Sequence, residues 1–420
     1  MTIMRKCDGI CVNCKYDTCI KYNPYTVEEE TILHRFAPEK EEEGYGVAFD
    51  LGTTTLVASL VNLQDGQELR RVTSLNPQRK YGQDILSRIT YVQRNGAQGS
   101  QVLQTELRRE MDRMLRELKA EQVERIAIAG NCVMLHLLLG EDVTGFGMAP
   151  YKPVFLKSQI REMEQVNVYC LPSISAFVGS DITAGIVAQK LPENSLYLDI
   201  GTNGEMVLRT ANGYYSCSCA VGPALEGMNI SCGMTATEGA IDNVWFSDGK
   251  VGFHVLDSER PMGLCGSGIL TAIQAFLQGA IITRDGAFKE DREVFELCED
   301  IVISQQDIRQ VQLAKGAILS GVICLLRYAG VCMEEIEVVY IAGQFGQHIS
   351  EEVFTNIGIL PKEAKGKLRY VGNGALAGAH KALLSEQFCK EAETLSEQVA
   401  YVELSNIEDY MQIFMESLLF

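Results

Sequence analysis

The chain has 420 residues, with 37 basic against 55 acidic side chains and a net charge of −18. That length exceeds what one hydrophobic core usually fills, so two lobes are expected, and the negative balance without a basic cluster argues against a nucleic-acid partner. Met1 to Cys7 holds no apolar signal core and the apolar run Gly316 to Leu326 is too short to span a bilayer, so a cytoplasmic protein with no membrane contact is expected.

The first segment, 1–27, carries Cys7, Cys11, Cys14 and Cys19, four of the chain's 14 cysteines. Without export signals, cysteines serve as thiols, metal ligands or redox groups more than as disulfides. Thiolates this closely spaced suit a loop wrapped around an iron–sulfur cluster of the 4Fe–4S type, with structural zinc as the alternative. Residues 28–43 follow as an acidic connector rich in glutamate, from Glu28 to Glu43.

Val47–Phe49 then reads as a strand running into Asp50-Leu51-Gly52-Thr53-Thr54-Thr55. Strands Leu56–Leu63 and Glu68–Ser74 follow, joined at an Asp65-Gly66 turn. A second copy repeats this plan. Strand Leu196–Leu198 enters Asp199-Ile200-Gly201-Thr202-Asn203-Gly204-Glu205, then strands Met206–Thr210 and Tyr214–Cys219 flank Asn212-Gly213.

Two further landmarks recur in the same order. Arg125–Gly130 matches Val338–Gly343, each after a long helical pattern. The first of these is amphipathic through Leu103, Leu107, Met111, Met114, Leu115 and Leu118, and the second, 308–329, is mostly apolar. Val178–Gly185 aligns without gaps with Val371–Gly378, each opening a helix, and Asp181 stands where the second copy has Gly374. The second copy is longer between its first two landmarks, which predicts an insertion containing the Asp248-Gly249 hairpin and 245–265. The expected segments are lobe I over 44–190, lobe II with its insertion over 191–370, and a C-terminal helix and tail over 371–420, packed on the lobes.

An aspartate at a strand end beside a glycine turn points one carboxylate and several bare N–H groups the same way. That is phosphate-handling chemistry, since glycine admits an anion and the carboxylate can hold a hydrated divalent cation. His136 reads as a satisfied core residue, and Cys217, Cys219, Cys232 and Cys265 as apolar fillers. Glu205 and Glu226 receive no role.

The duplicated strand, Asp-x-Gly-Thr turn and hairpin, with a glycine strand-to-helix junction, resemble the superfamily of actin, hexokinase, sugar kinases and heat-shock chaperones. The resemblance implies an α/β fold of two duplicated ribonuclease-H-like lobes with ATP between them, behind a short Cys-rich N-terminal segment. It makes Asp50–Thr55 the first phosphate loop, Asp199–Glu205 the second, and Ile341–Gly346, with Gly343, Gln344 and Gly346, the adenosine loop. Gly52, Thr53 and Thr54, with Gly201, Thr202, Asn203 and Gly204, would cradle the phosphates, and Asp50 and Asp199 would hold Mg2+ through its water shell. Asp181 resembles the sugar-kinase catalytic aspartate and would orient water or Mg2+, with capping of the helix Ile182–Lys190 as the structural alternative.

Gly222–Gly233, Leu264–Ile269, Gln312–Ile318 and Gly372–Ala375 are similar to the ATPase domain of the reductive activators of corrinoid enzymes, a likeness covering 44–420. It implies ATP-driven transfer of one electron to an inactive cob(II)alamin in a corrinoid protein, a low-potential donor such as ferredoxin or flavodoxin, and a homodimer. Family members pair this domain with an iron–sulfur module, whose part the Cys7–Cys19 loop would take here. The alternatives are a small-molecule kinase with Asp181 as general base, and a nucleotide-gated binding protein.

Overall fold

Val47, Ala48, Phe49 and Leu51 are all fully buried in β1 (Tyr45–Leu51), which makes it a central strand rather than an edge. The computed structural model describes residues 38–420 apart from 41, 121, 164, 291 and 344–348. After β1 come β2 (Thr55–Asn62), β3 (Glu68–Leu75), helix α1 (Ile85–Glu117), β4 (Val123–Gly130), α2 (Cys132–Leu139), β5 (Gln159–Met163), β6 (Val166–Cys170) and α3 (Ser180–Gln189). Their strands form one sheet in the order β3-β2-β1-β4-β6-β5, with β2 antiparallel and β4 parallel to β1.

The second lobe opens with β7 (Ser195–Ile200), β8 (Gly204–Thr210) and β9 (Gly213–Cys219). An inserted module follows: β10 (Ala240–Ser247), β11 (Lys250–Val255), β12 (Gly263–Leu264), α4 (Gly266–Gln278), β13 (Val294–Cys298) and β14 (Ile301–Ser304). The chain then rejoins the lobe through α5 (Gln305–Ala329), β15 (Val338–Ala342), α6 (Glu351–Asn356), β16 (Leu368–Gly372), α7 (Gly374–Leu384), α8 (Glu386–Gln398), β17 (Val399–Tyr401) and α9 (Tyr410–Ser417). The second sheet reads β9-β8-β7-β15-β16, the order of β3-β2-β1-β4-β6, with β17 added beyond β9. Duplication holds even at the register: Asp50 pairs with Ala129, and Asp199 with Ala342.

Three elements differ from the sequence-based expectation. The helix carrying Leu103 to Met114 begins at Ile85, because Asp84 caps it reciprocally with Ser87, and Gly96 (φ 59) breaks it without ending it. The insertion extends past Cys265 to include α4 and the β13–β14 hairpin. The apolar run Gly316 to Leu326 belongs to α5, a helix long and apolar enough to cross a membrane by length and composition, yet 72% of its apolar window is buried within the protein.

Each lobe has its own apolar core, and a third lies between them, built from small residues such as Ala48, Ala127, Ala184, Ala375 and Ala379. There α3 of lobe I packs against α7, which follows the last strand of the lobe II sheet. Side chains of this size let two helices approach closely.

His136 is the satisfied core residue its sequence context predicts. Its ring is fully buried, stacked 4.0 Å from the Phe155 ring. Nε2 lies 3.1 Å and 3.3 Å from the amide nitrogens of Val154 and Phe155, so it must accept, and Nδ1 donates to the Cys132 carbonyl at 2.7 Å. Burial lowers this imidazole to about 4, with the Cys132 carbonyl opposing. A depressed histidine contributes stability above its unfolded value of 6.5, and that contribution is lost as pH falls toward 4. Chemical denaturation across that window should show a loss of about 3 kcal/mol. His136→Gln, whose amide can donate and accept without titrating, should show a shallower slope.

Candidate functional site

Loop I, Gly52-Thr53-Thr54, turns β1 into β2 so tightly that a Cβ on Gly52 would sit 2.5 Å from the Thr55 carbonyl oxygen. Loop II, Gly201-Thr202-Asn203, turns β7 into β8 at the matching place, with the Gly201 amide donating to the Asn203 carbonyl at 2.9 Å. Both loops line one cleft of about 380 Å³, within the roughly 300–1,000 Å³ usual for small-molecule sites.

Asp50 and Asp199 stand at the ends of β1 and β7 on this cleft, and Asp181 joins them from the first turn of α3. Asp181 is not the helix cap expected from sequence. Gly179 holds the cap position, and the Asp181 Oδ1 accepts from the neighbouring Ile182 amide at 2.9 Å. Ser180 instead clips α3 to β4, its hydroxyl accepting from the Gly130 amide and donating to the Gly130 carbonyl.

Gly343 meets the site at another point. Its φ is +87°, and a Cβ there would lie 2.9 Å from both the Asp199 carboxylate and the Ile200 carbonyl oxygen. Gln344 and Gly346 lie outside the described residues, as do Cys7, Cys11, Cys14 and Cys19.

Several site residues went unassigned in the sequence. Glu205 is 7% exposed and faces Asp199 across the β7–β8 pair. Both flank the same turn, so strand alternation around Asp199–Glu205 was the available signal. Glu226 accepts from the Thr202 hydroxyl at 3.1 Å. Asn373 caps α7 by accepting from the Leu376 amide, and its Nδ2 reaches into lobe I to donate to Asp50 Oδ2 at 2.8 Å. Local sequence could indicate the cap, but not the bond to a strand 323 positions away.

The electrostatics follow from crowding. Burial lifts the Asp50 carboxyl to about 7, the Asn373 amide opposes, and Asp181 adds to the rise. Burial, then Asp181 and Asp50, lift Asp199 to about 8. Asp181 is raised by burial against its own and the Ile182 amide, and Glu205 is pushed well up by burial and then by Asp181 and Asp199. Such carboxylates fit a cation that would restore their charge. Among the described residues no three metal-binding side chains are grouped closely enough to ligate one ion. The donor set therefore fits an ion held through its own water, as Mg2+ prefers.

The cysteines take no part in such a centre. Cys217, Cys219 and Cys265 are buried free thiols, and burial is the leading cause raising the first two.

Residues 45–194 match the family described as the RACo middle region, and residues 193–420 match the C-terminal domain of RACo, the ASKHA domain. The chain is similar to the corrinoid activation enzyme RamQ of Eubacterium limosum, 30% identical over 91% of this chain and 71% of the relative. It is also similar to the [Co(II) methylated amine-specific corrinoid protein] reductase of Methanosarcina barkeri, 26% identical over 81% of this chain and 70% of that protein. A solved structure of a reductive activator for a corrinoid, iron–sulfur protein matches with a TM-score of 0.77 and 31% identity, covering 91% of this chain and 67% of its own.

Proposed function

The chain belongs to the RACo family, and on that premise we propose that it is an ATP-dependent reductive activator that returns cob(II)alamin in a corrinoid protein to cob(I)alamin. Support comes above all from Asp50 and Asp199, set in matching registers at the ends of β1 and β7 on one cleft.

The amides of Gly52, Thr53 and Thr54, with those of Gly201, Thr202, Asn203 and Gly204, orient the triphosphate, and Gly343, with Gln344 and Gly346, receives the adenosine. Asp50 and Asp199 hold the waters around Mg2+, which when bound supplies positive charge at the transferred phosphoryl group. Asp181 orients the attacking water and can accept its proton, since its raised affinity for protons suits a base near neutral pH.

Cys7, Cys11, Cys14 and Cys19 would hold an iron–sulfur cluster, which supplies a one-electron carrier between a low-potential ferredoxin or flavodoxin and the corrinoid protein. ATP is required because each 59 mV uphill costs about tenfold in equilibrium for one electron. The protein acts in the cytoplasm as a homodimer.

The test uses the full chain, anaerobically purified, with a chemical reductant and a corrinoid protein. Cob(I)alamin absorbance should rise only when ATP and Mg2+ are both present. A colourless, zinc-loaded protein that accepts no electron would overturn the electron-transfer role. A phosphorylated metabolite formed without any corrinoid protein would favour a kinase instead.

A further inference from the structure

Loop I is gripped from behind by the segment that follows β3. The Gly52 carbonyl accepts from Asn76 Nδ2 at 2.9 Å, the Thr53 carbonyl from Arg88 Nη2 at 2.6 Å, and the Thr54 carbonyl from the Asn76 amide at 2.9 Å. Within a planar trans peptide the N–H points opposite to the C=O. Three carbonyls turned back therefore turn the amides of Thr53 and Thr54 the other way, toward the cleft that both residues line.

Arg88 does more than this geometry requires. It is 0% exposed, and its remaining donors go to the Gly82 carbonyl at 3.0 Å, Gln78 Oε1 at 3.2 Å and Met134 Sδ at 3.1 Å. Every acceptor is neutral, and Arg88 makes no ion pair among the described residues. Burial lowers the guanidinium only to about 10, so it stays charged at neutral pH. A neutral amide could pin a carbonyl, whereas an unpaired buried cation is costly and needs a counter-charge.

The cleft supplies few cations. Among the described residues Arg79 is the sole Lys or Arg lining it, against Asp50, Asp181, Asp199, Glu205 and Glu226. Arg79 sits on the short turn Pro77–Lys80, which Asn76 caps by accepting from the Gln78 amide, so the same buried network carries both arginines. Its charge is felt across the cleft, where it opposes the rise of the Glu226 carboxyl in lobe II.

We propose that Arg79 and Arg88 form a two-arginine clamp for the nucleotide's phosphates, Arg88 as a fixed charge behind loop I and Arg79 as the cation that meets them in the cleft. Arg88 is a positioning residue, acting through the Thr53 peptide. The clamp rests on the nucleotide reading above and explains how a triphosphate enters a cleft crowded with carboxylates.

The test is calorimetric binding of ATP, ADP, AMP and adenosine to the full chain with Mg2+. Wild type should bind more tightly with each added phosphate. Arg88→Gln should weaken ATP by roughly 10- to 100-fold and leave adenosine within about twofold, with Arg88→Lys in between. Arg79→Ala, at a half-buried surface position, should weaken ATP by roughly tenfold or more with adenosine unchanged. An equal loss for all four ligands in both Arg88→Gln and Arg79→Ala, or no loss, overturns the clamp. A wild-type protein that binds none of them overturns the nucleotide reading itself.

Discussion

Asp199→Asn is expected to lower nucleotide-driven activity by roughly 100-fold or more while making the nucleotide-free protein more stable. The two effects share one cause. Asp199 is held in its ionised form only at a cost, because burial and the neighbouring Asp181 and Asp50 lift it from 3.8 to about 8. For an acid with a raised folded value, the native state binds the extra proton. Its stability is thus full below about 3.8 and is lost as pH rises through about 8.

In chelator and without nucleotide, the wild-type protein should therefore lose stability across that window, on the order of a few kcal/mol. The amide of the Asp199→Asn variant cannot ionise, so that protein should show a shallower pH slope and a higher melting temperature. Thermal scans at several pH values, paired with ATP turnover, read both. An Asp199→Asn protein that melts lower than wild type above pH 7 would sink this account of the carboxylate cluster.

The largest structural effects are expected where the lobes meet. A Cβ on Gly374 would lie 2.2 Å from the Tyr197 hydroxyl, and a Cβ on Gly378 would lie 2.4 Å from the Ala184 Cβ and 2.5 Å from its carbonyl oxygen. Gly374→Ala and Gly378→Ala should each cost about 2–3 kcal/mol through overpacking. They differ in remedy. The Tyr197 hydroxyl is buried without a hydrogen-bond partner among the described residues, so Tyr197→Phe alone should stabilise the protein by about 1 kcal/mol.

Tyr197→Phe also removes the oxygen that the Gly374→Ala methyl would strike, leaving Gly185 Cα at 3.2 Å as its nearest neighbour. The double variant should recover most of the loss. Gly378→Ala meets Ala184 backbone, which no side-chain change removes, so the same background should not rescue it. Equal rescue of both would mean that the clash is spread through the third core rather than centred on the tyrosine. Because Lys381 of α7 also caps α3 through the Ala188 carbonyl at 2.7 Å, a shift at this crossing is transmitted to the start of α3, where Asp181 stands.

What the sequence by itself determined was the part of the fold written in local chemistry. Strand alternation, the two Asp-x-Gly-Thr turns, the hairpin signals and the recurring Ala-Gly and Val-Gly landmarks each depend on neighbours a few residues apart. Comparing one half of the chain with the other therefore recovered the duplicated lobes and the pair Asp50 and Asp199. The asymmetric Asp181 was legible for the same reason, since its counterpart Gly374 occupies the aligned position.

Only the tertiary structure decided the rest, because those contacts join residues remote in sequence. Asn373 looked like one more member of a glycine-rich junction until its amide met Asp50 across the lobes. Glu205 looked solvated until the β7–β8 register set it beside Asp199. Arg88 opened an ordinary amphipathic helix, and nothing within a few residues of it signals that its guanidinium is buried without a carboxylate against loop I. A charge reads as surface in a sequence pattern, whereas its surroundings and its cost are fixed by whatever the fold packs around it.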